Sequence, residues 1–128
     1  MPIHRTYADK NLTIFAIIGE ITSEELMATL ETFYAENPTL DILWDVRQGT
    51  VAKLSFHNVR TIVENVMKLL KKQHRRKTAI VTPEDVDYGI GRMFDTFAKI
   101  KEASFTVRVF HDYDEAMAWL KANPNEEY

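Results

Sequence analysis

The sequence predicts an α/β domain in which an N-terminal β-hairpin is followed by repeated strand-helix units, giving a largely parallel sheet. Three observations predict it. Two runs, Ile3–Tyr7 and Leu12–Ile18, are joined only by Ala8 to Asn11, a link so short that they can pair only antiparallel. Three later runs, Asp41–Val46, Thr78–Thr82 and Ser104–Phe110, alternate with stretches whose apolar residues recur at three and four positions, and such alternation implies right-handed crossovers. A length of 128 residues suffices to bury a core without disulfides or metal, so residues 1–128 are read as one domain.

Each element has its own warrant. Leu12–Ile18 is apolar at nearly every position, as suits a strand covered on both faces inside the sheet. Thr22 and Glu25 have capping-box spacing and open a helix presenting Leu26, Met27, Leu30, Phe33 and Tyr34. Asn37 and Pro38 end it, because a residue before proline is pushed out of the helical region. In Asp41–Val46, Ile42, Trp44 and Val46 share one face, with Leu43 between Asp41 and Asp45 on the other. A loop, Arg47–Leu54, leads to Ser55, which opens a helix with Val59, Ile62, Val63, Val66, Met67 and Leu70 on its apolar stripe. The basic run Lys71–Lys77 reads as a solvated helix end, where positive charge complements exposed carbonyls.

Thr78–Thr82 is the third main strand. Pro83 to Gly91 breaks the pattern and leads into a helix bearing Ile90, Met93, Phe94, Phe97 and Ile100, with Gly89 and Gly91 leaving room for a close backbone approach. In Ser104–Phe110, Phe105, Val107 and Val109 alternate with Thr106, Arg108 and Phe110, the mark of an edge strand. Asp112 and Glu115 repeat the capping-box spacing before Tyr113, Ala116, Met117 and Leu120. Asn123–Tyr128 is a polar tail expected to fray.

Composition removes several function classes. A formal charge of −3 argues against a general nucleic-acid partner. The lack of cysteine removes disulfides, thiolate catalysis and zinc-thiolate sites. No apolar run is long enough to span a bilayer and the first residues lack a signal-peptide core, so a cytoplasmic protein without an integral membrane segment is expected. His4, His57, His74 and His111 fall on different elements without metal-ligand spacing, and Gly89 to Gly91 lacks the rest of a phosphate loop. No metal or cofactor is therefore expected. Asp45 as a phosphoacceptor would need an acidic pair after the first main strand, where only Glu20 stands. With no acid-base set, the chain is not expected to be an enzyme.

Loops after the C-terminal ends of parallel strands gather on one edge, where ligands usually bind. Here they hold Gly19 and Glu20, Arg47 to Gly49, Thr82 to Asp85, and His111 with Asp112. Asp45, Arg47, Ser55, Tyr88 and Arg92 form the candidate partner or ligand surface. Ser55 caps a helix, and a phosphate there would also be favoured by the helix N-terminus. Two kinds of partner fit. One is an unknown protein bound by Ser55 and the loop Arg47–Leu54; the other is a small apolar ligand held between helices near Tyr88, Met93, Phe94 and Phe97. Exposed aromatics such as Tyr88 and Trp119, with the edge strands, would also let a homodimer form.

The whole pattern resembles the STAS domain, the SpoIIAA-like fold of anti-sigma factor antagonists, shared in outline with CRAL-TRIO lipid-transfer domains. That resemblance implies a strand order following the chain. In STAS domains the strand corresponding to Asp41–Val46 leads to a helix opening with Asp-Ser-Ser-Gly or a close variant, whose serine a partner kinase phosphorylates. Lys53 to Phe56 falls at that motif and only Ser55 matches, with Lys53 in place of the acid and Phe56 in place of the glycine. Ser55 is therefore expected to act mainly as a cap. Leu43 to Arg47, Gly91 to Asp95 and Val109 to Leu120 are similar to a divergent group of small stand-alone bacterial SpoIIAA-like proteins without established enzymatic activity. A binding or regulatory module is what this resemblance implies.

Overall fold

The structure, a computed structural model, describes residues 3–36, 38–70 and 76–122. In chain order these form β1 (Ile3–Asp9), β2 (Leu12–Glu20), α1 (Ser23–Ala35), β3 (Asp41–Thr50), α2 (Phe56–Leu69), β4 (Arg76–Val81), α3 (Asp85–Ile100), β5 (Phe105–Phe110) and α4 (Tyr113–Lys121). The five strands lie in the order β1-β2-β3-β4-β5. Antiparallel pairing joins β1 to β2, and every later pair is parallel. The expected architecture is thus observed, with β5 at one edge and the hairpin strand at the other. Asn37, the run from Lys71 to Arg75 with His74, and the tail Asn123–Tyr128 lie outside the described residues.

Period-two alternation divides the core between the two faces of the sheet. Phe15, Ile17, Ile42, Trp44, Val46, Ile80, Val107 and Val109 face α1, α2 and α3. Leu12, Leu43, Ala79, Val81 and Phe110 face α4, which supplies Ala116, Trp119 and Leu120. Phe15 and Trp44, register partners on β2 and β3, stack with ring centroids 4.5 Å apart, and Phe33 of α1 meets Phe15 edge-on. Both helix-start devices on the larger face form. Thr22 accepts from Glu25 N while Glu25 reaches back to Thr22 N, and Ser55 does the same with Asn58.

The structure departs from the sequence reading at several places. Strand β3 does not end at Val46 but runs on to Thr50, so Arg47 to Thr50 is strand and not loop. Between the pairs Ala16–Asp45 and Ile18–Gln48, β3 carries one residue more than β2, a β-bulge after which Gly49 pairs with Gly19. A Cβ on Gly49 would lie 2.5 Å from the carbonyl oxygen of Ile17, which explains a glycine in a strand. Nothing crowds Gly89, and what approaches Gly91 is the side chain of Val109, not a backbone. The Asp112 carboxylate accepts from Asp114 N, a cap one residue short of the box expected with Glu115.

The end of the basic run is also not a solvated helix end. Arg76 and Lys77 begin β4 and are buried, pointing to opposite faces of the sheet. Lys77 Nζ donates to the carbonyls of Trp119 and Ala122 at the end of α4, which is why an ammonium can lie there. Trp119, expected to be an exposed aromatic, is buried beneath that ammonium and against Phe110.

Candidate functional site

At the C-terminal edge of the sheet the controlling residue is Asp87, in the first turn of α3. It is buried, and its Oδ1 accepts from Thr50 Oγ1 at 2.8 Å and from Val51 N at 2.7 Å. The end of β3 is thereby tied to the start of α3. Thr50 Oγ1 in turn accepts from Ala52 N, and Leu54 N donates to Val51 O. Together with the Ser55–Asn58 box, these bonds hold the connection at Val51, Ala52, Leu54 and Ser55. Phe56 and Val86, among the most exposed large hydrophobic side chains, lie near it, with Lys53, His57, Glu84 and Asp85 exposed around them. Phe56 leans edge-on against Phe97 of α3.

Asp45 and Arg47 meet, on the α4 side of the sheet. The Arg47 guanidinium donates Nε to Asp45 Oδ1 at 2.9 Å and Nη2 to Oδ2 at 2.8 Å, while Arg47 N also donates to Oδ1. The carboxylate therefore satisfies a backbone amide at the bulge. The same Arg47 hydrogen bonds hold the Asp45 carboxyl below the usual range, and Arg47 is raised in return. Above Arg47 lies the ring of Tyr113, 4.3 Å from the guanidinium carbon.

Tyr88, half-buried rather than exposed, stacks on His111 at 4.2 Å, and His111 Nδ1 donates to Thr82 O. Arg92 is exposed one turn further along α3. Ser55 is exposed, with its hydroxyl engaged as a cap. The five candidate residues thus do not form one cluster. Asp45 and Arg47 pair, while Ser55 and Tyr88 lie on separate elements. No group of acids or histidines able to hold a metal ion occurs among the described residues. No helix is long and apolar enough to cross a membrane.

A second feature lies beneath the helices. A cavity of about 80 Å³ lies between the sheet and α1, α2 and α3, lined by residues including Leu30, Ile62, Val66, Ile80 and Val107. Of the four side chains expected around a pocket, only Phe94 reaches it; Tyr88, Met93 and Phe97 do not. Tyr34 and Thr78 are its polar members. Burial pushes the Tyr34 hydroxyl up to about 12, against the opposing pull of the Arg76 charge. The Arg76 guanidinium carbon lies 5.9 Å from the Tyr34 ring.

Sequence reasoning missed Asp87, Tyr113 and Arg76. Asp87 looks like any acid favouring a helix N-terminus, and only its partners, 36 and 37 residues away, distinguish it. The Asp-x-Arg spacing of Asp45 and Arg47 was a usable signal for their pairing, since a bulge puts such neighbours side by side.

Five strands in chain order, the first two an antiparallel hairpin, with three helices on one face and one on the other, define the class: the α/β fold of anti-sigma factor antagonists. The unphosphorylated anti-sigma factor antagonist SpoIIAA superposes with a TM-score of 0.60 at 13% identity, covering 94% of this chain and 99% of that one. An anti-sigma factor antagonist from Mycobacterium paratuberculosis gives 0.55 at 13% identity, covering 94% and 95%. The phosphorylated form of the Bacillus cell fate determinant SpoIIAA gives 0.51 at 13%, covering 93% and 99%. Identity this low carries the fold alone. The family is shown by sequence: residues 12–121 match the SpoIIAA-like family model, and the chain belongs to that family. No curated protein matches the chain.

Proposed function

We propose that the chain regulates by binding a protein partner across the first turns of α2 and α3 and the connection from Val51 to Ser55. The observation that carries this reading is exposed apolar surface on a fixed support. Phe56 is 62% exposed and Val86 64%, each beside the connection that Asp87 holds. Large apolar side chains left in water on a pre-organised edge gain most when a partner covers them, since little ordering entropy remains to be lost. Ser55 and Arg92 would contribute to the polar rim, and the Asp45–Arg47 pair lies on the other side of the sheet, under Tyr113. The neighbours in fold described as anti-sigma factor antagonists support a protein as the partner. Ser55 serves this surface as a cap and not as a regulated phosphosite, with Lys53 and Phe56 on either side.

The test is capture from the native cell with wild type, Phe56→Ser, Val86→Ser and Ser55→Ala as baits, read by mass spectrometry. A partner held by wild type and Ser55→Ala but lost by the two serine variants is the expected result. Retention by all four baits would place the partner elsewhere, and phosphate found on Ser55 would overturn the cap-only role.

The cavity supports a second reading, a small apolar ligand held between the sheet and α1 to α3. Its size exceeds the roughly 10–15 Å³ that admits a single water, and its walls offer a water almost no partners. Native mass spectrometry of the purified protein would reveal a retained small molecule. The exposed edge strand β1, with Tyr7 56% exposed, supports a homodimer through the sheet edge. Light scattering that gives a monomer mass across micromolar concentrations would remove the dimer.

A further inference from the structure

The cavity beneath α1, α2 and α3 has a lining that limits what it can hold. Apart from Tyr34, Thr78 and Gly91, every lining residue carries an apolar side chain. No charged side chain among the described residues lines it, so a charged ligand would lose its hydration with nothing to replace it. Tyr34, Thr78 and Phe94 are the half-buried members of the lining and the rest are buried, which puts any entry beside those three.

Close packing would ordinarily fill such a space, and two features of α3 leave it open. Gly91 lines it without a side chain, and nothing larger fits there, because a Cβ would already lie 2.9 Å from Val109 Cγ2. Phe97 turns its ring to Phe56, 4.9 Å away, and does not line the cavity. Size then sets the ligand. An apolar cavity of about 150 Å³ takes benzene, roughly 25 Å³ for each carbon. At about 80 Å³ this cavity therefore holds about three non-hydrogen atoms, too few for a six-membered ring or an acyl tail.

We infer that the cavity binds an uncharged apolar molecule of about three non-hydrogen atoms, a short hydrocarbon the size of propane, held among Leu30, Ile62, Ile80 and Val107. The inference rests on the apolar-ligand reading above and adds the size limit and the absence of charge. Dispersion holds the ligand, since the methyl groups that bound the space gain contacts when it is filled.

The test is a titration of the full chain with propane, ethylammonium and benzene, followed through the methyl resonances of Ile62, Ile80 and Val107, in wild type and Ile62→Ala. In wild type propane should shift these resonances saturably, while ethylammonium, of the same size but charged, and benzene should leave them unmoved. Ile62→Ala removes three carbons, about 75 Å³ on the same scale, which brings the cavity to the size that takes benzene. Its Ile80 and Val107 methyls should then respond to benzene. Saturable shifts with benzene or ethylammonium in wild type, or a folded Ile62→Ala that benzene leaves unmoved, would overturn the inference. The apolar-ligand reading falls with it only if propane and benzene both fail to move the wild-type resonances. The wild-type comparison needs no variant, so the inference stays open to refutation even if Ile62→Ala fails to fold.

Discussion

Replacing Asp87 by alanine should loosen the connection that carries the proposed partner surface, and the cost can be worked from its two bonds. Val51 is 6% exposed, so without the carboxylate its N–H is left buried with no acceptor, at about 1–3 kcal/mol. The half-buried Thr50 hydroxyl can turn towards water, and its loss adds about 1 kcal/mol. The total is about 3 kcal/mol, or roughly 10 °C in Tm for a chain of this size. Asp87→Asn keeps a carbonyl oxygen for Val51 N and should lose only about 1 kcal/mol. Urea unfolding followed by the fluorescence of Trp44 and Trp119, both buried, gives the stabilities, and circular dichroism over the same range checks that the transition is two-state. In a double-mutant cycle Thr50→Val should show coupling with Asp87→Ala. A loss below about 0.5 kcal/mol for Asp87→Ala, the size of an ordinary surface substitution, would refute the reasoning.

Ser55→Ala should cost about 1 kcal/mol in the same urea experiment and Ser55→Asp almost nothing, because aspartate also caps and suits the helix N-terminus. Gly49→Ala should cost more than about 2 kcal/mol, since its Cβ would meet the backbone of Ile17, which cannot swing aside like a side chain; urea curves matching wild type would disprove the close approach. Asp45 has a folded pKa below its ordinary 3.8, so its contribution is present above that pH and is lost as pH falls through the lower folded value. Asp45→Asn should accordingly flatten the acid limb of the stability profile relative to wild type. Tyr34 has the opposite sign, with a folded pKa raised to about 12. Its stabilisation is full below pH 10 and is lost as pH rises towards about 12, so Tyr34→Phe should remove a decline that thermal melts show in wild type over that window.

Much of this fold was legible because its signals are local. The short link after Tyr7 forces the hairpin, and Thr22 with Glu25 marks a helix start from side chains three residues apart. Ser55, directly before the apolar stripe of α2, caps that helix. What was not legible depends on partners distant in sequence. Arg47 to Thr50 looks like loop because its residues are polar and include glycine, and only the pairing of Gln48 to Thr50 with Ile18 to Glu20 makes it strand. Arg76 and Lys77 look like part of a solvated run because nothing local shows that carbonyls of Thr39, Trp119 and Ala122 await them. The cavity is a shape left by side chains from several elements, and periodicity reports which residues face inward but not how well they fill the space. Hence Phe94 was placed correctly while its three expected companions were not.

The two cations that open β4 also settle a matter of phase. From Thr78 to Val81 the strand is small or apolar on both sides, so its hydrophobic pattern barely distinguishes a correct placement from one slipped by a single residue. Arg76 and Lys77 remove that ambiguity. A slip would carry the ammonium away from the end of α4, strand the carbonyls of Trp119 and Ala122, and send the guanidinium to the wrong layer. The order of the two residues works as a keyed joint, in which an arginine fits one layer and a lysine the other. Residues added or removed upstream of Arg76 leave the key intact, whereas one residue inserted between Lys77 and Thr78 would turn it the wrong way round.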